Sequence, residues 1–163
     1  MKVFLIRHGR AEDRSHQWGE WERPLTGRGR QEMERAAVRL RELGVRFDRL
    51  LTSPLVRARE TAEILLAAGL AQKLECAGFL EPGGRFPELE TFLAACLPDE
   101  MVALVGHLPD LPAFAETLVW GRATGGLAVK KGAILGVSVP PGQSLAGQGT
   151  LFWLTSPRLL VGA

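Results

Sequence analysis

The sequence predicts an α/β fold in which a mostly parallel central sheet lies between two layers of helices. Short apolar runs alternate with longer segments whose apolar residues recur at helical spacing, and this alternation is typical of a three-layer α/β/α sandwich. A chain of 163 residues can bury one hydrophobic core, so we expect a single domain over residues 1–163. Two apolar runs near the C-terminal end favour an antiparallel addition to the sheet.

The predicted strands are short apolar runs bounded by turn residues. They are Lys2–Ile6, Phe47–Thr52, Lys73–Cys76, Met101–Val105, Val129–Val139 and Thr150–Thr155. The last two are joined by the turn-rich segment Pro140–Gly149.

The predicted helices begin at capping residues or prolines and end before glycines. They are Gly27–Leu43, Pro54–Ala68, Glu88–Cys96 and a segment that follows Pro109 and ends near Trp120. Thr26 is the expected N-cap of the first helix, and Pro54 is expected at the first position of the second. Two loops, Gly9–Pro24 and Gly78–Pro87, interrupt this order.

Composition limits the classes of function. The net charge is +2, which does not indicate a nucleic-acid-binding protein. No apolar stretch approaches the roughly 20 residues of a membrane helix, and the N-terminal apolar run is too short for a secretory signal. We therefore expect a cytoplasmic protein. The spacing of its histidines, cysteines and acids resembles no metal site, so we expect no metal and no cofactor.

Other side chains have less specific predictions. Cys76 and Cys96 are expected to be free, buried thiols. We expect His16 in a surface loop, Trp120 and Trp153 in the core, and core packing in preference to partner contact for Trp18 and Trp21.

An Arg-His-Gly sequence follows the first predicted strand and suggests a phosphate site. Arg7 and His8 come at the rim of the sheet, and Gly9 allows close approach of a ligand. His107 follows another strand, and Arg57 lies in the first turns of a helix. Arginine binds phosphoryl oxygens with two-pronged geometry, and an imidazole can attack phosphorus. Two arginines and two histidines are costly to assemble unless an anion binds among them.

Four ordered motifs resemble those of the histidine phosphatase superfamily, which includes the cofactor-dependent phosphoglycerate mutases and acid phosphatases. They are Leu5–Gly9, Arg23–Thr26 with Gly29, Ser53–Ala58 with Thr61–Ala62, and Gly106–His107. The resemblance covers Phe4 to about Trp120. The short chain and the Gly106–Pro109 sequence are similar to those of the SixA-type phosphohistidine phosphatases.

The resemblance implies a phosphoglycerate mutase-like fold and a role for each site residue. His8 would be the nucleophile and would form a transient phosphohistidine. Arg7 and Arg57 would bind the phosphoryl oxygens, and His107 would donate to one of them. Arg23 either reaches the pocket or pairs with a loop acid such as Glu20 or Glu22.

Two positions depart from patterns within the family. Arg10 stands where many members have an acid, and Leu108 stands where the phytase-like branch has a proton donor. Phosphoglycerate mutases place a glutamate in the central loop, and Glu81 is a loosely matching candidate for that proton donor. A solvent-exposed loop acid is the alternative interpretation of Glu81.

A site with cations but no clear acid suits a leaving group that needs little protonation. Imidazole, whose conjugate acid has a pKa of about 6.5, leaves phosphorus more easily than an alkoxide. The short segment between Gly78 and Pro87 also predicts an open pocket that could accept a phosphorylated side chain of another protein. We therefore predict a metal-independent phosphatase acting on phosphohistidine in a signalling or phosphotransfer protein. The alternatives are a small-molecule phosphomonoesterase acting on a sugar or nucleotide-derived phosphate and a phosphate-binding module without turnover.

Overall fold

The computed structural model describes residues 1–162, which form a six-stranded sheet with helices on both faces. The strands are β1 (Lys2–Arg7), β2 (Arg49–Thr52), β3 (Glu75–Cys76), β4 (Met101–Gly106), β5 (Ile134–Ser138) and β6 (Thr150–Thr155). The helices are α1 (Gly27–Glu42), α2 (Val56–Ala67), α3 (Phe86–Ala94), α4 (Asp110–Trp120) and α5 (Pro157–Val161), with a 3₁₀ turn at Gly78–Leu80.

The sheet has the order β3-β2-β4-β1-β5-β6. The first four strands in this order are parallel, whereas β5 and β6 are antiparallel to their neighbours. The predicted α/β/α sandwich with an antiparallel C-terminal addition is therefore confirmed.

Two apolar clusters, one on each face of the sheet, hold the layers together. Alternate residues of β1 point to opposite faces, as strand geometry requires: Phe4 and Ile6 pack with α1 and α2, whereas Val3 and Leu5 pack with α3 and α4. Because both faces are covered, the central strands β1 and β4 are almost continuously apolar.

A crevice forms where β1 and β4 end side by side. The two strands are parallel, with Arg7 opposite Gly106, so His8 and His107 leave the sheet at neighbouring positions. The chain then enters α1 on one face and α4 on the other. Such a divergence at the carboxyl ends of parallel strands is the usual ligand site of open α/β sheets.

Several element boundaries differ from the predictions, two of them because the position of a proline relative to a helix start was predicted wrongly. Pro54 precedes α2, which begins at Val56 with Leu55 as its N-cap, so Pro54 is not its first residue. Pro87 lies in the first turn of α3, which therefore begins before the predicted Glu88. The predicted strand Val129–Val139 is a strand only over Ile134–Ser138. Helix α5 was not predicted.

Five predictions of burial were wrong. Trp21 and Trp120 are 51% and 49% exposed, and Trp18 is half-buried. The cysteines are free, as predicted, but Cys76 is exposed and Cys96 is only partly buried. Trp153 packs against the core and His16 is exposed, as predicted.

No helix within residues 1–162 combines the length and apolar character needed to cross a membrane.

Candidate active site

His8 lies at the end of β1 with its ring held in one tautomer. The residue is only 6% exposed. Its Nδ1 lies 2.7 Å from the carbonyl oxygen of Gly9, which can only accept a hydrogen bond, so Nδ1 carries the proton. The lone pair therefore resides on Nε2, which accepts a hydrogen bond of 3.2 Å from Nε of Arg57.

Gly9 and Thr61 join the His8 segment to α2. A Cβ atom on Gly9 would lie 2.9 Å from Cγ of Met33, so a larger residue would displace α1 or the turn. The Gly9 amide donates to Oγ1 of Thr61 (3.0 Å), and that hydroxyl donates to the carbonyl of Arg57 (2.7 Å). This chain of hydrogen bonds fixes Arg57 relative to His8.

Arg57 is buried in the second position of α2 and binds a carboxylate. Its Nη2 lies 2.7 Å from Oε1 of Glu20, and its Nη1 donates to the Glu20 carbonyl at 2.7 Å. Arg23 binds the same Oε1 at 2.8 Å, and Arg14 binds the other carboxylate oxygen at 3.1 Å. Hydrogen bonds from Arg23, foremost, lower the pKa of Glu20 to about 2. An anion is thus already bound to the arginine beside His8.

His107 follows β4 and faces His8, with ring centroids 5.2 Å apart. Its Nε2 lies 2.8 Å from Oγ of Ser53, and that oxygen also accepts the Leu55 amide at 3.3 Å. The Ser53 hydroxyl can donate its hydrogen to Nε2, and in that arrangement the imidazole proton is on Nδ1. Within residues 1–162, Nδ1 has no hydrogen-bond partner although it is buried. It can donate to a ligand in the crevice.

Both histidines are neutral at pH 7. Burial is the main cause that lowers the pKa of His8 to about 3, and the nearby positive charges lower it further. Burial is also the main cause that lowers the pKa of His107 to about 4, and the charge of Arg57 is the second cause. A neutral imidazole retains the lone pair that a nucleophile needs.

Arg7 lies close enough for its charge to lower the pKa of both histidines. Its Nη1 donates to the carbonyl of Val129 at 2.8 Å. Its Nε is buried without a partner in the part of the chain that the structure describes. Arg7, His8, Arg57 and His107 are therefore brought together at the carboxyl ends of β1 and β4 and the start of α2.

The less specific candidates lie around this group. Arg23 pairs with Glu20, one of the two acids named as its partners, and its charge lowers the pKa of His107. Arg10 binds Glu32 at 3.0 Å. Glu81 lies half-buried on the loop after the 3₁₀ turn. That loop is tied to α4 because the Gly83 amide donates to Asp110 at 2.9 Å, but no hydrogen bond from the Glu81 side chain is present within residues 1–162.

Sequence reasoning missed the contact of Glu20 with Arg57 and the contacts of Ser53 and Thr61. Thr61 could have been found, because a residue four positions after Arg57 lies on the same face of a helix. Ser53 follows the end of β2, at the same rim as His107. Glu20 lies in an irregular loop, where no periodic signal indicates which way a side chain points.

Comparisons with known proteins agree with this geometry. Residues 3–109 match the sequence profile of the histidine phosphatase superfamily, branch 1, and the chain belongs to this family. An uncharacterized protein of Picosynechococcus sp. is 40% identical over 167 residues, covering 99% of each chain.

Two solved structures of related fold have named substrates or ligands. The protein histidine phosphatase SixA complexed with tungstate has a TM-score of 0.85 at 29% identity, covering 98% of this chain and 99% of that one. The alpha-ribazole phosphatase from Shigella flexneri has a TM-score of 0.71 at 20% identity, covering 96% and 97%. The second likeness shows the fold alone.

Proposed function

We propose that this protein is a phosphatase that uses His8 as its nucleophile and removes the phosphoryl group from phosphohistidine on a signalling or phosphotransfer protein. The observation that carries the proposal is the state of His8. It is buried and neutral, its Nδ1 is fixed by the Gly9 carbonyl, and its Nε2 lone pair faces the guanidinium of Arg57.

In the first step, the phosphoryl group takes the place of the Glu20 carboxylate on Arg57. Arg57, Arg7 and Nδ1 of His107 then bind its oxygens, which supplies the fixed positive charge and donors that phosphoryl transfer requires. The hydrogen bond from Nε of Arg57 to Nε2 of His8 breaks, and the freed lone pair of Nε2 attacks phosphorus while the bond from phosphorus to the leaving nitrogen breaks. The electron pair stays on the departing imidazole, which takes up a proton from solvent water.

In the second step, a water molecule attacks the phosphorus of phospho-His8. The water releases one proton to solvent, the bond from phosphorus to Nε2 breaks, and its electron pair returns to the imidazole. Inorganic phosphate then leaves, and Glu20 rebinds to Arg57. Within residues 1–162, no group of three or more His, Cys, Asp or Glu side chains lies close enough to hold a metal ion. Every step above uses only protein groups and water.

The substrate follows from the weak case for an acid. Leu108 is not a proton donor, and Glu81 lies on the neighbouring loop without a hydrogen bond that would orient it within the described residues. A departing imidazole needs little protonation, whereas an alkoxide needs an acid in the transition state. The site therefore favours phosphohistidine and aryl phosphates over serine or alkyl phosphates.

The test is a single-turnover comparison of phosphohistidine, an aryl phosphate and an alkyl phosphate, with and without a chelator. We expect phosphohistidine and the aryl ester to transfer their phosphoryl group at least tenfold faster than the alkyl ester, and EDTA to change none of the rates. The Glu81→Gln variant should slow only the alkyl ester. Equal first-step rates for alkyl ester and phosphohistidine would favour the small-molecule phosphomonoesterase instead.

A further inference from the structure

A basic cavity of about 670 Å³ adjoins the reaction site. It lies between α1, the segment before β5 and α5, and Arg7 forms part of its wall. Six more cations line it, namely Arg10, Arg28, Arg35, Lys130, Lys131 and Arg158.

The charge of this cavity is far from that of the whole chain. The chain has 20 basic and 18 acidic residues, whereas the cavity wall has seven basic residues and one acid, Glu32. Glu32 already binds Arg10 and Arg28, at 3.0 and 2.9 Å. Within residues 1–162, the side chains of Arg35, Lys130, Lys131 and Arg158 form no ion pair. Such a field attracts anions from solution.

The cavity is joined to the reaction site through the backbone. The amide of Gly132, which follows Lys131, donates to the carbonyls of Arg7 and His8 at 3.1 and 2.9 Å. Arg7 itself lines the cavity and also lowers the pKa of His8 and His107. An anion bound in the cavity would therefore lie directly beside a phosphoryl group at His8. The two groups could belong to one molecule.

The cavity is too long for one phosphate. Arg28 and Arg35 are two turns apart on α1, a distance of about 10 Å at roughly 1.5 Å per residue. Three residues of extended peptide cover the same distance at about 3.3 Å each. The cations are also open to solvent, with 50% of the Arg10 side chain and 75% of the Arg28 side chain exposed. Long, exposed arginine and lysine side chains can bind several carboxylates at variable positions more readily than they can enclose one compact ligand.

We propose that this cavity binds an acidic segment of the protein whose phosphohistidine is cleaved at His8. The proposal rests on the proposed function, because it assumes a protein substrate. The cavity guides an acidic phosphoprotein to the site by long-range attraction and holds its segment of Asp or Glu residues beside Arg7 during transfer. Salt weakens this contribution, because the charges are exposed.

The probes are two synthetic phosphohistidine peptides of equal length, one flanked by four Asp residues and one by four Asn residues, together with phosphoramidate. The variant Lys130→Glu/Lys131→Glu/Arg158→Glu reverses three exposed charges of the cavity and changes no residue of the reaction site. The matched control, Arg41→Glu/Lys73→Glu/Arg122→Glu, reverses three exposed charges that do not line it.

At low salt we expect the unmodified protein and the control to have at least tenfold higher kcat/KM for the Asp peptide than for the Asn peptide. The cavity variant should lose this preference, as should all proteins at 0.5 M salt, and phosphoramidate turnover should change less than twofold. A cavity variant that keeps the preference overturns the proposal. A second combination of results also overturns it: the three substitutions abolish binding of inorganic tripolyphosphate but leave the peptide preference unchanged. The cavity would then be a site for small polyanions.

Binding of the unphosphorylated Asp peptide, measured by fluorescence polarisation, separates the two proposals. If neither phosphoramidate nor either phosphopeptide is hydrolysed, the proposed function fails. Peptide binding that is lost in the cavity variant and kept in the control would still support an acidic docking site, and equal binding to all three proteins would contradict it.

Discussion

Glu20 and the four residues of the reaction site illustrate how one side chain changes the chemistry of another. Arg57 is stabilised in the absence of phosphate by the Glu20 carboxylate, which also binds Arg23. Unpaired buried charges are costly, so this contact keeps the guanidinium in place. A phosphoryl group must then compete with Glu20 for the same donors.

The Glu20→Gln variant should bind oxyanions more tightly, because an amide is a weaker competitor than a carboxylate. We expect the Kd for tungstate, measured by calorimetry at pH 7, to fall about three- to tenfold, which corresponds to roughly 0.7–1.4 kcal/mol. Glu22→Gln, in the same loop, is the control and should leave the Kd unchanged. Unchanged or weaker binding by Glu20→Gln would show that Glu20 does not occupy the oxyanion position.

Sequence motifs predicted the residues that follow strands or begin a helix, because those positions converge by topology. Arg7, His8, Arg57 and His107 are of this kind. Glu20 lies in the irregular segment between residues 9 and 24, whose path depends on tertiary contacts such as the Val56 amide donating to the Trp21 carbonyl at 3.0 Å. Nothing local in the sequence encodes such a contact.

At the scale of elements, the segment from α4 to β5 is held by one buried carboxylate. Glu116 is fully buried and accepts the amides of Thr124, Gly125 and Leu127, the last two at 2.7 and 2.8 Å. Burial alone would raise the pKa of Glu116, but these donors outweigh it and lower the pKa to about 2. The segment leads directly to Val129, whose carbonyl accepts from Arg7.

The Glu116→Gln variant should destabilise the fold and also weaken phosphate binding at a distance. An amide cannot accept all three hydrogen bonds, so we expect a loss of about 2 kcal/mol in the free energy of unfolding by urea. Loosening of the Val129 carbonyl should raise KM more than it lowers kcat. The exposed Glu63→Gln is the control, within about 0.5 kcal/mol of the unmodified protein. Equal stability of the two variants would contradict the anchoring role of Glu116.

Element types were predictable from periodicity, but several boundaries were not. Pro54 and Pro87 show why: proline is tolerated both before a helix and within its first turn, and only tertiary packing selects between these positions. Helix α5 has five residues and packs on α1, so its stability comes from contacts rather than from its own sequence.

The pH dependence of stability is a property of the whole molecule. His8 and His107 have pKa values lowered to about 3 and about 4 in the folded state, below the ordinary value of 6.5. The unfolded chain therefore binds protons first as pH falls. The stability from these two groups is fully present above pH 6.5 and is lost progressively as pH falls from there toward 4 and 3. The stabilisation contributed by Glu20 and Glu116 is lost only below about pH 4.5.

We therefore expect the free energy of unfolding to fall between pH 7 and pH 5, by up to about 1.4 kcal/mol per pH unit for each histidine. Urea unfolding at several pH values measures this slope. The His8→Asn/His107→Asn variant should have a flatter profile, whereas the exposed His16→Asn should not. An unchanged slope in the double variant would mean that other groups control acid stability.

The overall architecture followed from the alternation of strands and helices, yet the strand order did not. Placement of β4 between β1 and β2 brings His107 beside His8, although these residues are 99 positions apart in the sequence. Local patterns do not specify which strands become neighbours, and here the family resemblance supplied that information.

The nucleophilic role of His8 is tested most directly by trapping its phosphorylated form. The protein is mixed with radiolabelled phosphoramidate, quenched in alkali within milliseconds, and the labelled peptide is sequenced. We expect an acid-labile label on His8, absent in His8→Ala, whose fold persists and whose turnover falls on the order of 10⁶-fold, with His16→Ala as the unaffected control. A label on another residue would contradict the proposed mechanism. So would a His8→Ala variant that retains more than about a tenth of the activity, which corresponds to a change in the activation barrier below roughly 1.4 kcal/mol.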